Sequence, residues 1–225
     1  ANTYTGLTWV REGTLATGLA NAFAASSDLT VDSGATFDRS GYSQTVSDAD
    51  IDGTVGNTGG GGLLTVTGTL SGSGVVNGDV NVTRVHAPGN SPGIQTFGGN
   101  LSYGNGASIN WELTDNTASN SPVVYDQIVL TGLADLTFSG SNVLALSFAG
   151  AGSLVDWTDS FWDVNRAWTV FDLASGVTTG FGNLSLGGSL LDASGLALDG
   201  ATRGSFSLSQ SGQDVMLVFT AVPEP

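Results

Sequence analysis

The chain has no cysteine and no lysine in its 225 residues. Without thiols it has neither a disulfide framework nor a thiolate metal site. Its only basic residues besides one histidine are five arginines, Arg11, Arg39, Arg84, Arg166 and Arg203, against twenty acids, and the formal net charge is -15. A chain so poor in cations cannot build the basic patch that neutralises phosphates, which excludes nucleic acid as a partner and an anionic membrane as a docking surface. No apolar run reaches the length of a membrane span, so no membrane insertion is expected. With His86 as the single histidine, any Ser-His-Asp triad would have to pass through it, and the favoured reading is a turn histidine with a local hydrogen bond.

What the chain has in quantity is glycine, 34 residues, with many Ser, Thr, Asn and Asp and enough apolar residues for a core. Short apolar-polar alternations closed by Gly recur: Leu29-Thr-Val-Asp-Ser-Gly34, Leu64-Thr-Val-Thr-Gly68, Val80-Asn-Val-Thr83, Leu101-Ser-Tyr-Gly104, Ile128-Val-Leu-Thr-Gly132 and Leu184-Ser-Leu-Gly187. Each has the length of one short strand with a turn at its edge. In Ile109-Asn-Trp-Glu-Leu113 the alternation puts Ile109, Trp111 and Leu113 on one face and Asn110 and Glu112 on the other. Self-similarity at about 16 to 35 residues favours an all-β solenoid over a sandwich, with a jelly roll as the alternative and a more sandwich-like C-terminal half as a variant. The Ala-rich stretch from Leu15 to Ala25 is the one helix candidate, weakened by Gly18. Apolar periodicity stops at Asp115-Asn-Thr-Ala-Ser-Asn-Ser-Pro122, which divides the chain into a repeat region, 1–115, and a C-terminal β region, 116–225, that continues or caps it. Beyond it, Val143–Phe148 and Val215–Phe219 are continuous apolar runs suited to strands covered on both faces.

Two resemblances follow from particular residues. Asn2-Thr-Tyr-Thr-Gly6, Gly13-Thr-Leu15 and Gly41-Tyr-Ser-Gln-Thr-Val46 resemble the autotransporter-associated β-strand repeat. So do the turn His86-Ala-Pro-Gly-Asn-Ser-Pro-Gly-Ile94 and the strand Tyr125-Asp-Gln-Ile-Val-Leu-Thr-Gly132. The terminal Val222-Pro223-Glu224-Pro225 resembles the start of the exosortase sorting signal of PEP-CTERM proteins, here without the apolar helix and basic cluster that follow it in that family. Together the resemblances imply a right-handed parallel β-helix, secreted to the cell surface or extracellular matrix of a bacterium, with Pro223, Glu224 and Pro225 as the sorting motif. They imply no reaction.

Candidate chemistry is sparse. Asp48-Ala-Asp-Ile-Asp-Gly53 repeats the opening of a calcium loop, making Asp48, Asp50 and Asp52 candidate Ca²⁺ ligands, although the twelfth position is Gly59 where an EF-hand needs a bidentate Glu. Between Val155 and Trp168, Trp157, Trp162 and Trp168 interleave with Asp159 and Asp163. Indole faces that stack on sugar rings beside carboxylates that bind hydroxyls would make a glycan platform, and a core patch over the flank of the stack is the competing reading. Paired carboxylates on adjacent strands are the one catalytic option.

The leading expectation is an extracellular structural protein, not an enzyme, that binds itself head to tail in a surface filament or biofilm-matrix fibre, because stacked strands leave unpaired backbone groups at both ends. The alternative is a monomeric adhesin or glycan-binding module whose partner is extracellular polysaccharide.

Overall fold

The computed structural model describes residues 2–223. The chain visits three sheets in rotation, one short strand at a time. It enters the first sheet at β1 (Thr8–Val10) and the second at β2 (Thr14–Ala16). It then passes in order through the first, second and third sheets with β3 (Leu29–Val31), β4 (Thr36–Asp38) and β5 (Gln44–Val46). The same circuit repeats with β6 (Ala49–Ile51), β7 (Thr54–Gly56) and β8 (Leu63–Val66), and with β9 (Thr69–Gly72), β10 (Val75–Val76) and β11 (Asp79–Val82). Next come β12 (Val85–Pro88), β13 (Ile94–Phe97) and β14 (Leu101–Tyr103), then β15 (Ser108–Glu112), β16 (Gln127–Leu130) and β17 (Leu136–Phe138). The last full circuit is β18 (Asn142–Ser147), β19 (Arg166–Leu173) and β20 (Thr178–Thr179), after which β21 (Leu184–Gly188) returns to the first sheet. Finally β22 (Gly204–Ser211) and β23 (Asp214–Ala221) form a hairpin at the end of the second sheet.

Up to β21 each strand pairs in parallel with its counterpart one circuit away, and among the described residues antiparallel pairing is limited to β19–β23, β23–β22 and three isolated bridges. Parallel pairing excludes the jelly roll, whose strands pair antiparallel, and the C-terminal half is sandwich-like only in that hairpin. All three sheets run through the 115/116 division, and the polar stretch there is a loop between β15 and β16.

Period-two alternation buries every second side chain, and parallel register stacks like on like. In the third sheet Leu64 stands on Val80, Val80 on Leu101 and Leu101 on Leu136, while Val66, Val82, Tyr103 and Phe138 form the adjoining column. All eight are buried. Full burial of such a side chain is worth roughly 1.5–3 kcal/mol. The irregular spacing of the repeat lies in the connections: the loops between β15 and β16 and between β18 and β19 lengthen a circuit without moving the strand register.

Two sequence expectations are overturned. The stretch from Leu15 to Ala25 is not helical: it begins within β2 and then crosses the open end of the third sheet, where its backbone bonds downward to the next circuit. The Asn21 N–H donates to the Ser43 carbonyl, and the Gln44 side chain accepts from Ala22 N–H and donates to the Leu19 carbonyl. Nor are the two apolar runs sealed on both faces. Leu144, Leu146, Leu217 and Phe219 are buried, while the intervening Val143, Ala145, Met216 and Val218 are half-buried.

Candidate functional site

Asp48, Asp50 and Asp52 fall in and beside β6. Extended backbone advances about 3.3 Å per residue, so the first and third carboxylates stand roughly 13 Å apart along the strand, whereas calcium draws its oxygens to about 2.3–2.6 Å. Each carboxylate instead accepts a hydrogen bond from the next circuit. Asp48 takes Thr69 N–H at 2.6 Å, Asp50 takes Ser71 Oγ–H at 3.1 Å, and Asp52 takes Ser73 N–H at 3.0 Å and Asn90 Nδ2–H at 2.9 Å. Gly53 has a local reason too: a Cβ there would lie 2.3 Å from the Asp32 carbonyl oxygen and 2.4 Å from that of Ala35. Among the described residues no group of three or more acids or histidines is placed to hold a metal. The calcium-loop expectation fails because the segment is a strand.

Trp157, Trp162 and Trp168 are buried, so they present no ring face to a sugar. Their indole N–H groups donate to the Leu190 carbonyl, Asn116 Oδ1 and the Thr117 carbonyl respectively, the last two pinning the 115–122 loop. Their rings meet those of Phe206 and Phe219, with Trp162 5.0 Å from Phe219 between centroids, and so dock the terminal hairpin onto the last circuits. Asp159 caps the short helical turn Ser160–Asp163 through Phe161 N–H, and Asp163 pairs with Arg203 at 2.7 Å, just ahead of β22. The aromatic stretch is the core patch that competed with the glycan platform.

His86 is an interior residue of β12, not a turn histidine. Its Nδ1 lies 2.6 Å from the Tyr103 hydroxyl and its Nε2 2.7 Å from Gln95 Oε1. The Gln95 amide donates to the Ser71 carbonyl, which can only accept, so Oε1 faces the histidine and Nε2 carries the proton. Nδ1 then accepts from Tyr103. Burial pushes the His86 pKa down to about 4, opposed by the Gln95 hydrogen bond, and pushes the Tyr103 phenol up.

One cleft of about 330 Å³ opens on the first sheet, with Pro88, Ser91, Asn110, Glu112 and Asp126 in its wall. It brings two carboxyl groups together, and both are tied. Glu112 accepts from the Ser91 hydroxyl. Asp126 accepts Gly93 N–H at 2.7 Å and Glu112 N–H at 2.9 Å on its two oxygens, and burial pushes its pKa up to about 7 against the pull of those donors. Trp111 Nε1–H donates to the Asp126 carbonyl. Asp126 thus fastens the 113–126 loop across three segments of chain.

The ends of the sheets carry exposed groups of their own. At the first end β1 and β2 are three residues each, and Leu7, Trp9 and Leu15 nearby are exposed. At the other end β20 has two residues and β21 five, while β22 has eight. The β22 sequence Gly-Ser-Phe-Ser-Leu-Ser-Gln-Ser is uncharged and free of proline, and it pairs with β23 without a register shift. Short strands, charge, proline and bulges are the usual protection of a sheet edge, and β22 has none of them. This segment is not among the candidates that the sequence motifs point to. Its signal was strict alternation between Arg203 and Asp214, without a charge, in a strongly acidic chain. Of the terminal motif, Pro223 follows β23, and Glu224 and Pro225 lie outside the described residues.

No protein family matches the chain, and neither does any curated protein or solved structure.

Proposed function

We propose that this chain is an extracellular structural protein, a right-handed parallel β-solenoid whose copies stack head to tail into a surface filament or matrix fibre. The observation that carries the reading is the set of open sheet ends: parallel sheets finish in strands whose outer backbone groups lack partners among the described residues, and one of those strands is long and uncharged. Such an edge is a template for another strand, and a contact between unlike ends that does not close on itself generates a filament. The rotation of the chain through three sheets supports the solenoid, and the resemblance of Val222 to Pro225 to a sorting signal supports secretion. The monomeric glycan-binding alternative loses its main support with the burial of Trp157, Trp162 and Trp168.

The acidic surface opposes assembly, since each copy carries a net -15, and salt that screens it promotes association. Electron microscopy and sedimentation of the purified chain across a salt series test the reading. Regular fibres are the expected result, and single copies under every condition overturn it.

A further inference from the structure

The second sheet has two ends, β2 and β22. From β2 to β19 its strands are parallel. β23 runs against β19, and β22 runs against β23. Two reversals restore the original direction, so the sheet ends on a strand running the same way as the one it starts with. A second copy displaced along the stack therefore offers its β2 to β22 as a parallel neighbour, the relation β2 already has with β4.

The backbone groups at both ends face the right way. Val222 N–H donates to the Arg203 carbonyl, so alternation along the hairpin turns the N–H and C=O groups of Phe206, Leu208 and Gln210 away from β23 to the open side, while Gly204 at the start of the strand is buried. At the other end, Thr36 N–H donates to the Gly13 carbonyl and Thr17 N–H to that of Asp38, which leaves the groups of Thr14 and Ala16 facing outward. Side chains agree as well. Leu15 stands over buried Phe37 in register but is 39% exposed, because no strand lies above it. Phe206 and Leu208 are half-buried against the core at the opposite end. Neither β2 nor β22 carries a charge, so this contact brings no acid directly against another in an otherwise acidic protein.

We propose that β22 of one copy receives β2 of the next, joining their second sheets and covering Leu15 with the Phe206–Leu208 face. The contact rests on the head-to-tail reading above and names its two surfaces. Ala16→Pro and Gln210→Pro each remove one outward N–H while leaving the ladder within the chain intact. If Gln210→Pro does not fold by circular dichroism, Ser207→Lys with Ser209→Lys places charge on the same edge through exposed side chains. Sedimentation velocity then reads the result. The unmodified chain is expected to form an open-ended series, each variant alone to remain single, and an equal mixture of the two to form pairs and nothing larger, since each variant keeps the end the other lacks. Pairs from Ala16→Pro alone would overturn the proposal in favour of β22 meeting β22. Assembly of both variants like the unmodified chain would overturn the contact and leave the filament reading standing. An unmodified chain that stays single at every concentration would overturn both.

Discussion

His86 of the first sheet and Tyr103 of the third meet in the interior, ring nitrogen to hydroxyl at 2.6 Å, and Gln95 of the second sheet closes the chain of hydrogen bonds on the other side of the imidazole. One buried polar network therefore ties all three sheets together within a single circuit. A satisfied network of this kind fixes how neighbouring elements face one another, and a broken one leaves orphaned groups in a low-dielectric interior.

Replacing His86 with Leu leaves the Tyr103 hydroxyl and the Gln95 carbonyl oxygen without their partner. The expected loss is about 1–3 kcal/mol for each buried group left unsatisfied, measured by urea denaturation at neutral pH. The unmodified chain also has a pH signature. The folded pKa of His86, about 4, lies below its ordinary 6.5, so the unfolded chain takes the proton first. Stability from this residue is full above about 6.5 and drains as the pH falls towards about 4. A histidine NMR titration with a midpoint near its ordinary value in the folded chain would contradict this.

Asp126 has the opposite sign. Its folded pKa of about 7 lies above the ordinary 3.8, so between these values the folded chain holds the proton better than the unfolded one, and the Asp126 contribution grows as the pH falls through that window. Asp126→Asn removes this dependence and sets an amide N–H against the backbone N–H of Gly93 or Glu112. The stability advantage of the unmodified chain over the variant should widen from pH 7 towards pH 4. An advantage that narrows refutes the assignment.

Trp162→Ala removes a buried indole between Trp157 and Phe219, for an expected loss of about 3–5 kcal/mol. Proteolysis should then reach the terminal hairpin first. Polysaccharide retention on an affinity gel, where any is found, should be the same for the folded variant and the unmodified chain.

Assembly should rise with ionic strength and be indifferent to EDTA. Screening acts over about 10 Å at 0.1 M salt, whereas a calcium requirement needs converging ligands that β6 does not supply. Calcium chloride and sodium chloride at matched ionic strength are expected to act alike in light scattering. Reversal by EDTA alone would restore a specific calcium site.

The strands were legible because their signal is local. In Leu64-Thr-Val66 and Ile109-Asn-Trp111, alternation and a nearby turn identify both the strand and its buried face. The same local reading failed at Leu15–Ala25, where alanine content suggested a helix but the open end of the third sheet recruited the backbone. It failed again at Asp48–Asp52, where a ligand-like spacing was drawn out along a strand.

Composition and period-two patterning are enough for an acidic, cysteine-free, all-β chain with one histidine and short inward-facing apolar pairs, because they depend only on neighbours along the chain. Tertiary structure alone decided that His86 joins Gln95 and Tyr103, that the tryptophans turn inward onto Phe206 and Phe219, and that β22 ends its sheet running in the direction of β2. Those relations join residues from different sheets or different circuits, and the loops that set which circuit lies above which have no period for a sequence to display.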